Sequence, residues 1–276
     1  MPFAKVSDIS IYYETYGSKA NSPLVLVMGL AATKLGWEIE RVKRLAEKHY
    51  VIVFDNRGSG QSSMPDAPYS MALFAADTVG LMDALNIDQA HIFGISMGGM
   101  IVQHIALDYP DRVLSLIMGC TTPGGKRVIP STREVTRVLL KPKSGDRAKD
   151  ARDRWPIMYT PTFIETQREL LEDRLNLKLA YPEQPRYAFE RQFGAILNSH
   201  NTFERLPELK MPVLIQVGLD DVLIPPGNAH LLAGQISQAK LIEYPNAGHG
   251  YFLETGFKAT DDVLAFLDKV DGQKSP

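Results

Sequence analysis

Short apolar runs rich in Val and Ile recur along the chain, each followed by a stretch with helical spacing, and this alternation constrains the fold more than any other feature. The runs are Leu24 to Met28, Val51 to Phe54, His91 to Gly94, Val113 to Met118, Val213 to Val217 and Lys240 to Tyr244. They read as apolar on both faces, the pattern of parallel strands covered by helices on each side. In the segment after Ser70, Phe74, Leu81, Met82 and Leu85 share one helical face, and Ser70 is suited to cap that helix. The segment Met97 to Tyr109 turns Met100, Ile101 and Ile105 inward and stops at Pro110; a last helix is predicted over roughly Lys258 to Lys269. An opening hairpin is predicted from Ala4 to Val6 and Ser10 to Tyr16, with Ser7-Asp8 at its turn. Alternation of this kind implies right-handed crossovers and an α/β fold with a mostly parallel, doubly wound sheet.

The rhythm breaks between Pro123 and Leu206, a stretch with no strand pattern, many Arg residues and helical runs such as Phe163 to Leu179. The chain therefore divides into a core, 1–122 and 207–276, and a helical insertion, 123–206. A length of 276 residues suits one α/β unit carrying an insertion. Open α/β sheets bind ligands at the carboxyl ends of their strands. The insertion leaves from that end of the Val113 strand, so it is expected to lie over the site as a cap.

Bulk properties exclude several classes. At 45% hydrophobic residues the chain has enough apolar material for a large core. A net charge of −2 argues against nucleic-acid or anionic-membrane partners. Cys120 is the single cysteine, so neither an intrachain disulfide nor a Cys-based zinc site can form. No apolar run is long enough to span a bilayer, and the start, Met1-Pro2-Phe3-Ala4-Lys5, lacks a signal-peptide core. A cytoplasmic location is the expectation.

The chemistry is signalled by Gly94-Ile95-Ser96-Met97-Gly98, which ends one predicted strand and opens the next predicted helix. That strand–turn–helix setting is what a nucleophile elbow requires. The sharp turn strains the serine backbone, and the glycines let neighbouring backbone approach. A serine hydroxyl needs a base. Of six histidines, His249 stands in Asn246-Ala247-Gly248-His249-Gly250, after the Lys240 strand and so at the carboxyl edge. His104 falls inside a helix, His49 and His91 flank strands, and His200 and His230 have polar, exposed-looking surroundings. The base needs a carboxylate, and Asp220 and Asp221 follow the Val213 strand. The chain order Ser, Asp, His is that of α/β-hydrolases. A second oxyanion donor is expected from Gly29-Leu30-Ala31-Ala32, giving the Met97 and Leu30 amides as the pair, with Ala31 as fallback.

On these residues the chain resembles the α/β-hydrolase superfamily over nearly its whole length. Asp55-Asn56-Arg57-Gly58-Ser59-Gly60-Gln61-Ser62 is similar to the D-x-R-G-x-G-x-S loop of the lipase-like, cofactor-free haloperoxidase-like and enol-lactonase-like branches, where it is mainly structural. The resemblance puts the triad acid at the third position after Gly218, which is Asp221, with Pro225 downstream. Family members usually carry His-Gly before the oxyanion residue; here it is Met28-Gly29, so a backbone donor is implied without the histidine side chain. Branches with an aspartate nucleophile are excluded by Ser96.

The expected activity is hydrolysis of a small carboxylic ester or lactone by Ser96, Asp221 and His249, with no cofactor and no metal. Trp155, Tyr159 and Phe163 are candidate pocket walls, while Trp37 and Cys120 read as core. Arg127, Arg133, Arg137, Arg152 and Arg154 read as solvated, although one of them is a candidate for a substrate carboxylate. Three alternatives stay open: an activity like that of 3-oxoadipate enol-lactonase, C–C bond hydrolysis, and a non-enzymatic ligand sensor that retains the triad.

Overall fold

The computed structural model describes residues 2–273. Eight strands form one sheet: β1 (Phe3–Val6), β2 (Ile9–Tyr16), β3 (Pro23–Val27), β4 (Tyr50–Phe54), β5 (Ala90–Ile95), β6 (Val113–Gly119), β7 (Val213–Gly218) and β8 (Ala239–Tyr244). Their spatial order is β1-β2-β4-β3-β5-β6-β7-β8. The β1–β2 and β2–β4 pairs are antiparallel and the other five are parallel. The opening hairpin, expected from the sequence, extends the parallel sheet through the antiparallel pairing of β2 with β4.

Helices α1 (Ile39–Ala46), α2 (Met71–Ala84) and α3 (Met97–Asp108) precede the interruption. Ser70 caps α2 by accepting the Leu73 amide, as its position predicts. Alternate residues of one strand feed two cores: Val25 and Val27 pack under α2 and α3, while Leu24 and Leu26 pack on the opposite face with Val42 and Leu45 of α1. That double burial is why these strands carry no polar face. The edge strand β8 departs from the expectation. Lys240 and Glu243 are exposed, because a strand with only one neighbour is covered incompletely.

Between β6 and β7 the chain forms α4 (Arg133–Leu139), α5 (Arg147–Arg152), α6 (Trp155–Met158), α7 (Pro161–Thr166), α8 (Arg168–Leu179) and α9 (Arg186–Ser199). The predicted run Phe163 to Leu179 is two helices, broken at Gln167, whose ψ of 28° leaves the helical region. The two ends of this excursion are clasped together. Thr202 N–H donates to Pro123 C=O at 2.9 Å, and His200 Nε2 donates to Thr122 C=O at 2.7 Å. His200 is buried, not exposed as its sequence surroundings suggest, because α9 returns it against the exit of β6. Burial brings its pKa down to about 4, so it is neutral, and its Nδ1 faces His104 Nε2 at 3.3 Å. The chain closes with α10 (Gly227–Gln235), α11 (Tyr251–Glu254) and α12 (Lys258–Gly272). No helix among the described residues is long and apolar enough to cross a membrane.

Candidate active site

Ser96 stands at the carboxyl end of β5, one residue before α3, with φ 58° and ψ −121°. A non-glycine residue held there costs on the order of 1–3 kcal/mol and persists only where its surroundings enforce it. The enforcement is steric. A Cβ on Gly94 would lie 2.2 Å from Gly98 O, and one on Gly98 would lie 2.0 Å from Val27 O. The turn is therefore clamped between its own helix and β3, and Ser96 N–H donates to Gly119 C=O at 2.9 Å.

The loops that carry Asp221 and His249 meet beside it, with His249 Nε2 3.9 Å from Cys120 Sγ. Backbone of Ala247 and Gly248 crowds Gly218 so closely that a Cβ there would lie 2.2 Å from Ala247 O. This contact brings the loop after β7 against the loop after β8. Asp221 is buried, and its Oδ2 accepts a hydrogen bond from His249 Nδ1 at 2.8 Å. Its Oδ1 accepts the Leu223 and Ile224 amides at 2.9 and 2.8 Å. Asp220, one residue earlier, is exposed, and its amide donates to Ala247 C=O. The His249 loop is tied to the inserted helices as well: Glu254 accepts the Gly248 and Thr160 amides, each at 2.7 Å, and Gly250 N–H donates to Met158 C=O.

Burial works against protonation of His249, but the Asp221 carboxylate overrides it and holds the imidazole pKa well above the ordinary histidine value. In the neutral ring the proton sits on Nδ1, facing Asp221, and Nε2 is the nitrogen without one. Among the described residues Nε2 makes no hydrogen bond to Ser96 Oγ; it lies 3.9 Å from Cys120 Sγ. Cys120 is core, as expected, yet it also borders the site, with φ 40° and a thiol pKa pushed up by burial. Position at the end of an apolar strand gave no signal of that second contact.

The loop after β3 completes the arrangement. Gly29 backs onto the serine, and a Cβ there would lie 3.1 Å from Ser96 Cβ and 3.5 Å from Ser96 Oγ. The Ala31 amide is already engaged by Gln192 Oε1 at 3.0 Å. Among the described residues the Leu30 and Met97 amides donate to no other group. Asn56 Nδ2 holds the loop from below through Met28 C=O at 2.8 Å. Asp55 and Arg57 are structural in their contacts: Asp55 accepts the Lys34 and Gln61 amides, and Arg57 pairs with Asp77 and Asp8.

A cleft of about 790 Å³ opens beside the Asp221–His249 pair. Ile157, Met158, Tyr159 and Phe163 of the inserted helices line it, opposite Leu219 and Val222. Trp155, a candidate wall, is instead buried with Leu171, Leu175 and Leu253 in a small core between the inserted helices and α11. Among the described residues neither Arg nor Lys lines the cleft. Arg152 is paired with Glu172, and Arg154 is bound to the carbonyls of Asp150 and Lys141.

Comparison with known proteins agrees with this architecture. A family model described as the alpha/beta hydrolase fold matches residues 22–255. The chain belongs to the α/β-hydrolase fold family. Within that family it is 29% identical over 280 residues to a protein of Azorhizobium caulinodans bearing the name of a carbamate hydrolase, RutD, a match covering 98% of this chain and all of that one. It is 29% identical over 244 residues to 3-oxoadipate enol-lactonase 2 of Acinetobacter baylyi, covering 88% and 87% of the two chains. A third relative, rhodomycin D methylesterase DnrP of Streptomyces peucetius, is 29% identical over 269 residues, covering 88% and 89%. All three relatives are named as hydrolases.

Proposed function

We propose that this protein is a serine hydrolase that cleaves a small, uncharged carboxylic ester or lactone through an acyl-enzyme. The observation that carries the proposal is the buried 2.8 Å contact of His249 Nδ1 with Asp221 Oδ2 beside the strained turn at Ser96. Ser96 Oγ attacks the carbonyl carbon while His249 Nε2 takes the hydroxyl proton. The Leu30 and Met97 amides receive the carbonyl oxygen as it becomes an oxyanion, with Met97 also at the positive end of α3. As the tetrahedral intermediate collapses, the bond to the leaving oxygen breaks and His249 returns the proton to it. Water then attacks the acyl-enzyme with His249 again as base, releasing the acid and free Ser96. Catalytic hydrogen bonds are often long or unmade in unliganded sites, and this mechanism requires the Ser96 Oγ–His249 Nε2 hydrogen bond to form with substrate bound.

The names of the relatives share one chemical denominator, attack at an acyl carbon bearing an oxygen or nitrogen leaving group. The charge of the cleft favours the neutral substrate over an acidic enol-lactone: among the described residues no Arg or Lys lines it, and Asp220 does. The inserted helices act as the cap that walls this cleft. Replacing Ser96 by Ala is the test. A fluorophosphonate probe is expected to label Ser96 in the wild type, and the Ser96→Ala protein is expected to lose both labelling and hydrolysis of short aryl esters. Labelling or turnover that survives the substitution sinks the assignment.

A further inference from the structure

Gln192 lies on α9, far from the serine in sequence, and its side chain is completely buried. Every hydrogen-bonding position of its amide is used. Oε1 accepts the Ala31 amide at 3.0 Å and Gln184 Nε2 at 3.1 Å. Nε2 donates to Arg57 C=O at 2.8 Å and to Ser59 Oγ at 2.9 Å. One side chain from the insertion thus joins two core loops, the 55–62 loop and the loop that carries Leu30. The first is rigid, since Arg57 is locked to Asp77 and Asp55 accepts two backbone amides.

The second loop needs holding. Ala32 N–H donates to Gly29 C=O, closing a tight turn, and Ala31 occupies φ 56°. At that turn position glycine is favoured and a residue with a Cβ is strained. Relaxing Ala31 to a negative φ rotates the Leu30–Ala31 peptide and withdraws the Ala31 amide from its present direction. The bond to Gln192 opposes that rotation, because it exists only with the amide as it stands.

We infer that Gln192 is a positioning residue, the clamp by which the insertion keeps the oxyanion loop in one donor-ready conformation. This rests on the Leu30 and Met97 amides being the oxyanion hole. Preorganised donors act because they need no reorganisation as charge develops. A loop that samples two turn conformers loses that property while ground-state binding is little changed.

The experiment compares Gln192→Met, which keeps length and volume without hydrogen bonds, with the wild type and with Gln192→Met/Ala31→Gly. Readouts are kcat, KM, and inhibition by a trifluoromethyl ketone, whose hemiketal with Ser96 Oγ carries an oxyanion where the tetrahedral intermediate has one. Removing an oxyanion donor outright costs about 10²–10³ in kcat, so loosening one is expected to cost about 10- to 100-fold, with KM held within about twofold. The ketone Ki is expected to rise by a matching factor. Ala31→Gly is expected to recover most of the loss, since glycine takes the positive φ unaided. Should Gln192→Met not fold, Gln192→Ser, which leaves room for water at the same groups, is measured in its place. A folded variant with wild-type kcat and Ki, a change in KM alone, or no recovery with Ala31→Gly overturns the clamp. Ser96→Ala runs alongside: activity in that protein refutes the serine-hydrolase reading itself, whereas a dead Ser96→Ala with a fully active Gln192→Met refutes only the clamp.

Discussion

Replacing Asp221 by Asn preserves shape yet sets two demands on one side chain that it cannot meet together. The Leu223 and Ile224 amides both require an acceptor at Oδ1, and His249 Nδ1–H requires one at Oδ2. Asparagine has a single oxygen. Facing that oxygen to the two amides turns its NH₂ toward Nδ1, which must then accept, so the proton moves to Nε2 and the base is lost. Facing it to His249 instead leaves two part-buried backbone donors without an acceptor, at up to about 1–3 kcal/mol each. The productive tautomer therefore lies up to about 2–6 kcal/mol above the unproductive one. At 1.36 kcal/mol per factor of ten, kcat is expected to fall by between about 30-fold and about 10⁴-fold. The upper end matches the loss of about 10⁴ for the equivalent change in serine proteases. Asp220, exposed and away from His249, is expected to cost about tenfold or less as Asn, through turn stability alone. Both variants are assayed on one short ester after circular dichroism shows them folded. A dead Asp220→Asn beside an active Asp221→Asn would place the acid one residue earlier and refute the reasoning.

Because Asp221 raises the His249 pKa, the neutral base forms only at higher pH; kcat/KM is expected to rise through one ionisation with its midpoint above 6.5, and a plateau already reached below pH 6 contradicts this. The Asp221→Asn protein, lacking the carboxylate, is expected to show its residual limb at lower pH. Apolar walls from Ile157, Met158, Tyr159 and Phe163 bound the cleft, so short acyl esters are expected to outpace long-chain triglycerides; faster turnover of emulsified lipid reverses the assignment of those helices. Gly98→Ala would set a Cβ 2.0 Å from Val27 O, a backbone atom that cannot step aside, and a loss of folded protein or a large drop in Tm is expected; an unchanged melting curve shows the turn to be looser than described.

All eight strands were legible from Val and Ile runs or from alternation, because double burial or a half-buried hairpin writes itself into composition. The choice of Asp221 over Asp220 came only from the resemblance, which places an acid at the third position after Gly218; in the structure it is Asp221 that meets His249 Nδ1. What escaped is long-range. Gln192 lies on a helix where no local pattern separates it from other polar residues, and its partners are Ala31, Arg57, Ser59 and Gln184. His200 looked exposed because its sequence neighbours are polar; only the return of α9 to β6 buries it. Trp155 gave an ambiguous signal, since an aromatic side chain serves a pocket wall and a helix core equally well until the helices are placed. Lys240 and Glu243 of β8 show the remaining limit: a strand at the rim keeps polar residues that the general pattern for buried strands does not anticipate.

The clasp at Thr122, Pro123, His200 and Thr202 closes the excursion where it leaves the sheet. For a flexible loop closed at its ends, doubling the length costs only about 0.6 kcal/mol in closure entropy. The β6–β7 register is therefore nearly indifferent to how much chain lies beyond the clasp, and helices there can be lengthened, shortened or exchanged at small thermodynamic penalty. Contact rather than length sets the boundary of that freedom. A replacement grafted between Pro123 and Thr202 inherits the sheet without effort, but it must still deliver an amide side chain to the place where Gln192 meets Ala31.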